Sequence, residues 1–171
     1  MNKIGKKVII SSKFCSEIFD GTHDSPKYYD KGYPLVTSKH ISSTSIDFKN
    51  APLIDENDFN KINKRSLVKE NDVLVSMIGT VGTIAYIKDK PNFAIKNIGV
   101  LRAYNKIDAK YLYFYMQSPT AQFQIKSGLE GSTQPFFSLY KLRNFPIVVP
   151  IDEAYKQHIV DTISSLLLKS L

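Results

Sequence analysis

The sequence predicts an α+β fold: a strand-rich globular domain followed by a long C-terminal α-helix. Three observations predict it. Short aliphatic and β-branched runs bounded by turn residues crowd the segment up to Leu101. Helix caps take over from Asp108 onward, and an apolar stripe at helical spacing closes the chain.

In order, Lys6–Phe19 is mixed in pattern, with Val8-Ile9-Ile10 reading as a short strand. Asp20 to Pro26 is a dense turn cluster, because Asp, Gly, Ser and Pro each favour tight backbone geometry. Tyr33 to Thr37 reads as a strand, with Pro34 at its start or on an edge. Ser38 to Asn50 is polar and loop-like, and Asp55 to Lys64 suits one or two surface helical turns. After the Asn71-Asp72 turn, Val73 to Ile78 is a strand. Gly79-Thr80-Val81-Gly82 connects it tightly to a strand at Thr83–Ile87, and Phe93–Ile95 and Ile98–Leu101 add two more.

Asp108 is expected to cap a helix from about Ala109 to Gln117, with Leu112, Tyr115 and Met116 on one face. Ser118-Pro119 is a cap followed by a first-turn proline, so a second helix runs to Lys126 and ends at Gly128. Phe136–Asn144 is expected to hold a short helix. Phe145 to Pro150 is extended, since two prolines bar a continuing helix. In the last helix Tyr155, Ile159, Ile163 and Leu166 recur at spacings of four, four and three, and Val160, Leu167 and Leu168 widen the stripe. The stripe is still apolar where the sequence stops, so a partner for it is expected. The domains expected are 1–150, globular, and 151–171, helix.

With 171 residues, 43% hydrophobic and 23% charged, one domain with a proper core is affordable. The net charge of +7 suits a polyanionic partner, or simple solubility. The excess is carried by Lys; Arg65, Arg102 and Arg143 are the only arginines, so bidentate guanidinium readout of guanine has little material. Cys15 stands alone, which excludes a disulfide framework and a thiolate zinc site, fits a reducing cytoplasm, and suits a buried small hydrophobe. The basic opening Met1–Lys7 leads into no long apolar run, so neither a signal peptide nor a membrane span is expected.

Catalytic patterns are missing. Gly79 to Thr83 lacks the Lys-Ser/Thr of a P-loop and leads into a strand, so its glycines read as turn residues with positive φ. His23 lies among Asp20, Thr22 and Asp24, but His40 and His158 are remote; a turn-stabilising or outward-facing role outweighs a metal site. Asp55, Glu56, Asp58, Glu70 and Asp72 read as a solvated acidic face, without the strand-borne Glu-x-Lys of a nuclease centre. Neither an Asn-Pro-Pro-aromatic motif nor a glycine-rich methyl-donor loop is present. No catalytic residue, metal or cofactor is expected.

Four blocks carry a family resemblance. Asp20 to Tyr28 with Gly32 to Ile41, Asn71 to Gly82, Phe93 to Arg102, and Gly131 to Gln134 leading through Leu142–Pro150 into Glu153–Ile163 resemble, in the same order, the target-recognition domains of Type I restriction–modification specificity subunits. The resemblance implies sequence-specific binding of double-stranded DNA by a non-catalytic component that directs methyltransferase and restriction subunits to a split target. Complete members of that family carry two such domains and two helices, against one domain and part of one helix here. Two rival readings are the recognition lobe of a fused restriction–methylation enzyme and an assembly or regulatory half-subunit that reads no bases.

Under the DNA-binding reading the contacts belong to polar residues on loops between strands. Thr22, His23, Ser25, Lys27 and Tyr28 form one set; Ser38, Lys39 and His40 a second; Gly131, Ser132, Thr133 and Gln134 a third. Lysines would hold phosphates, while Gln134 suits a bidentate contact to adenine unless Ser132-Thr133 merely shape a turn before Pro135. Tyr155, Ile159, Ile163 and Leu166 are expected to form a homodimer helix, or else to fold back on their own domain.

Overall fold

A computed structural model describes residues 5–169. Its centre is a four-stranded antiparallel sheet in the order β2-β8-β5-β6, formed by β2 (Cys15–Asp20), β5 (Val73–Ser76), β6 (Ile84–Tyr86) and β8 (Ile98–Ala103). The period-two geometry of a strand divides its side chains between two cores. Val73, Val75 and Leu101 face Leu112, Met116 and Ile125 of the helical side, whereas Leu74, Ile98 and Val100 face Val36, Ile41 and Ile95. With both faces covered, β5 reads as an unbroken apolar run rather than an alternating one.

A second sheet, order β4-β3-β7, combines β3 (Tyr33–Val36), antiparallel to β4 (Leu53–Ile54), with β7 (Ala94–Ile95), parallel to β3. Helix α2 (Glu56–Ser66) belongs with it: its Ile62 shares a small core with Leu35, Ile54 and Ala94. The third sheet pairs β1 (Lys6–Ile10) with β9 (Pro146–Pro150), antiparallel, and the one-turn α1 (Ser11–Phe14) joins β1 to β2.

The helices that close the larger core are α3 (Lys106–Met116), α4 (Pro119–Ser127), α5 (Leu139–Arg143) and α6 (Glu153–Lys169). Ser118 caps α4 as expected. Helix α3 starts earlier than its sequence suggested, because Asn105 is the cap: its Oδ1 accepts from the Asp108 amide at 2.9 Å. That frees the Asp108 carboxylate, which accepts from Lys156 of α6. Lys156 is 5% exposed, with Glu153 also at 2.7 Å and its ammonium 5.9 Å from the centre of the Phe14 ring. Burial alone would lower the Lys156 pKa, but the hydrogen bonds and charges of Asp108 and Glu153 outweigh it and raise the value.

The α6 stripe is divided. Val160 is fully buried and Tyr155, Ile159 and Ile163 are half-buried, while Leu166 and Leu168 are 62% and 75% exposed. The first half of α6 thus packs on its own chain, against α3 and β9. Residues 1–4 and 170–171, which hold part of the basic opening and the end of the expected helix, lie outside the described residues.

One ion pair ties the sheet to its turns. Asp72, fully buried, takes both Nε and Nη2 of Arg102 at 2.8 Å, and its Oδ2 accepts from the Lys69 amide at 2.7 Å. Arg102 also donates to Glu17 at 2.7 Å and to the Leu67 carbonyl at 2.8 Å. Asp72 therefore leaves the solvated acidic face to which its sequence neighbourhood assigned it. Cys15 is buried, and burial first, then the Asp108 and Asp72 charges, push its thiol up to about 12, an unreactive state.

Candidate functional site

The ends of the sheets meet along one rim, built mainly from backbone hydrogen bonds. Beyond β2 the amides of Gly21 and Thr22 donate to Ile98 and Ile95, at 2.9 and 3.0 Å, and the Asn97 amide returns a bond to the Thr22 carbonyl at 3.1 Å. Gly21 is required for this approach, since a Cβ there would lie 2.3 Å from the Ile95 oxygen. The Lys96 amide donates to Val36 at 2.9 Å, tying the same β7–β8 turn to the end of β3. Next comes the 3₁₀ turn Ser38–His40, and the Ser38 hydroxyl lies beside Gly79, where the β5 strand has ended and φ is +78°. Ile78 bridges to Phe136, and Phe137 donates to Met77 at 2.8 Å. Glu130 and Phe136 exchange bonds of 2.8 and 2.9 Å that close the loop 131–134. The three predicted loop sets are thus neighbours in space.

Their side chains differ in what they can offer. Thr22 is buried, and its hydroxyl accepts from the Asp24 amide at 3.1 Å, so it shapes the turn. His23 is exposed but braced: Nε2 lies 2.8 Å from Asp20 Oδ2 and Nδ1 2.7 Å from Asn97 Oδ1. Ser25 accepts from Lys96 Nζ at 2.7 Å. Lys27 sits 5.5 Å from the centre of the Tyr29 ring, and Tyr28 is exposed. In the second set Lys39 is exposed and Ser38 and His40 are half-buried. His40 Nδ1 accepts from the Thr37 amide at 3.0 Å, which leaves Nε2–H as its outward donor. Burial lowers the His40 pKa, Asp47 opposing and Lys39 adding, so the neutral ring dominates at pH 7. In the third set Gly131 adopts φ +81°, and Ser132, Thr133 and Gln134 are all exposed.

Sequence reasoning missed two members of this rim, Lys96 and Asn97, which sit between strand runs that read as separate segments. Asn97 has φ +54°, the left-handed conformation that Asn tolerates best after Gly. Each arginine is engaged within the chain: Arg65 donates to Gly21 O at the rim at 3.1 Å, Arg143 to Ile18 O at 3.2 Å, and Arg102 holds Asp72. Lys27 and Lys39 are exposed cations on the predicted loops. Among the described residues no group of three or more His, Cys, Asp or Glu side chains is arranged to hold a metal ion, and no helix is long and apolar enough to cross a membrane.

The sequence model of the Type I restriction modification DNA specificity domain matches residues 17–170. The chain is 26% identical over 134 residues to the Type I restriction enzyme EcoBI specificity subunit of Escherichia coli, covering 74% of this chain and 27% of that protein. Among solved structures it is similar to the S subunit of a Type I restriction–modification system from M. genitalium, with TM-score 0.62, 16% identity, and 96% of this chain matched to 40% of that one. The HsdS subunit from Thermoanaerobacter tengcongensis gives TM-score 0.66 at 15% identity, 96% of this chain matching 38% of that one. At such identities the structural likeness establishes a shared fold. The chain spans about a quarter of the length of the curated relative and about two-fifths of each of these two structures.

Proposed function

The chain belongs to the family of Type I restriction modification DNA specificity domains, and from that premise we propose that it reads one part of a double-stranded DNA target. The observation that carries the reading is the rim: three polar loops and the β7–β8 turn brought side by side on rigid strand ends, with Lys27 and Lys39 exposed on them. Lys27 and Lys39 hold phosphates, and Gln134, with the hydroxyls of Ser132 and Thr133, addresses base edges. In this reading residues 1–150 are the reader and 151–171 the spacer helix.

The chain itself does no chemistry. It acts in the cytoplasm by directing methyltransferase and restriction subunits to the site; its likeness to the specificity subunit of a Type I restriction enzyme supports the specificity role. The outer half of α6, with Leu166 and Leu168 in solvent, serves assembly, pairing antiparallel with the same helix of a second copy to give a two-fold homodimer.

The test is binding selection from random duplexes with the purified chain, followed by a salt titration on the selected sequence. A reader enriches a short motif, and log affinity falls with log salt by roughly 0.9 per phosphate neutralised. Enrichment of no motif, or a flat titration, refutes the proposal.

A further inference from the structure

Resting on the DNA-reading function above, we infer that Asn97 is a specificity-determining residue that contacts a base edge, with His23 and Asp20 as the positioning residues that fix its amide. His23 looks like a reader in the sequence, yet both of its ring nitrogens are engaged within its own turn, 2.8 Å from Asp20 Oδ2 and 2.7 Å from Asn97 Oδ1. An ionised carboxylate only accepts, so Nε2 carries a hydrogen toward Asp20. The imidazole is then a strut, 62% exposed at its side chain, between a β2 carboxylate that is 16% exposed and the Asn97 amide.

What the strut leaves is the other end of that amide. One end of the Asn97 amide lies against the ring, and its other end has no hydrogen-bond partner among the described residues, on the same rim as the reading loops. The position is rigid. The Asn97 amide nitrogen is bonded to Thr22 at 3.1 Å, and the preceding Lys96 amide to Val36 at 2.9 Å. The side chain is pinned by His23. A side chain held this way loses little freedom on contact, which favours selectivity over adaptability. Glycine would satisfy φ +54° with less strain, so the amide itself is the reason to place Asn there. Lys96, bonded to Ser25 at 2.7 Å, supplies positive charge beside it.

With one end held by the ring, the amide offers a single polar group outward, and it therefore suits one acceptor or donor on a major-groove edge rather than the paired donor and acceptor of adenine. This distinguishes Asn97 from Gln134, whose amide is exposed and held by no side chain among the described residues.

The experiment is selection from random duplexes with the wild-type chain and with Asn97→Gly, Asn97→Asp and His23→Ala, alongside thermal melting of each. Asn97→Gly keeps the left-handed backbone and removes only the amide. It should abolish preference at one base position, a loss of about tenfold or more in discrimination there, with the rest of the motif intact. Asn97→Asp, which removes the NH2, should change the preferred base at that position or abolish the preference, and His23→Ala should relax the same position by freeing the amide. An unchanged motif from Asn97→Gly, or an equal loss on every sequence, overturns the inference while leaving the reader assignment standing. A wild-type chain that enriches nothing overturns the reader assignment, and this inference with it.

Discussion

Substituting Asp108 by Asn tests how α6 is held to the rest of the chain. The Lys156 and Asp108 side chains are 6% and 14% exposed, so their contact is a buried ion pair, and removing one partner of such a pair costs about 3–5 kcal/mol. Glu153 stays 2.7 Å from the ammonium but is itself 76% exposed, and so offsets no more than about 1 kcal/mol. Asp108→Asn should therefore destabilise the chain by about 2–4 kcal/mol, a fall in Tm of roughly 6–12 °C for a chain of this size. Lys156→Met should cost about half as much, because Asp108 keeps the Asn105 amide at 2.8 Å and Met refills the space beside Phe14. The double variant should resemble Lys156→Met. Urea denaturation followed by circular dichroism measures all three. The pH dependence has a definite sign. The Lys156 pKa is raised by folding, so the stabilisation is complete below the unfolded value of about 10.4 and disappears as pH climbs through the folded one. The gap between wild type and Asp108→Asn should hold to about pH 10 and close above it. A gap under about 0.5 kcal/mol at neutral pH, or Lys156→Met as the more damaging change, would refute the buried pair as the fastening.

Arg102→Lys should cost about 1.5–3 kcal/mol in urea denaturation, because a lysine keeps the charge but cannot span both oxygens of the buried Asp72; lost DNA binding at unaltered stability would contradict this. Gln134→Ala should relax one base position by about 1–3 kcal/mol, whereas Lys27→Ala should weaken binding to all duplexes alike and flatten the salt slope by about one phosphate; equal losses from both would reassign Gln134. Sedimentation should show a dimer for the wild-type chain and a monomer for Leu166→Asp/Leu168→Asp, two leucines that the chain's own fold leaves exposed; a dimer in both places the contact elsewhere. Ile159→Asp is the poorer probe, since Ile159 packs against the chain's own core.

Elements with a strong local signature were legible in the sequence. Ser118-Pro119 announced α4, the glycines around Val81 announced the β5–β6 turn, and the final stripe announced α6. Elements that depend on distant partners were not. β4 is two residues long and exists only because β3 lies beside it, and β2 has no clear alternation because β8 dictates its pairing. At α3 the expected cap, Asp108, gives way to Asn105, and the Asp108 carboxylate instead meets a lysine nearly fifty positions away. For the candidate site, the polar loops could be named but their adjacency could not, since it arises from bonds between the ends of three separate ladders. Asn97 carried no readable signal: its left-handed backbone and its bond to His23 are both tertiary facts.

The rim is fastened largely by main-chain groups: Thr22 to Ile95, Asn97 to Thr22, Lys96 to Val36, Phe137 to Met77. Such bonds are blind to side-chain identity, except where a glycine such as Gly21 is needed for close approach. The vocabulary of the loops is therefore separable from the grammar of the frame. A lineage can rewrite Ser132, Thr133, Gln134 or Lys39 one letter at a time while every strand end stays where it was. Arg102 and Asp72, deep in the sheet and remote from any such edit, keep the page flat while the text changes.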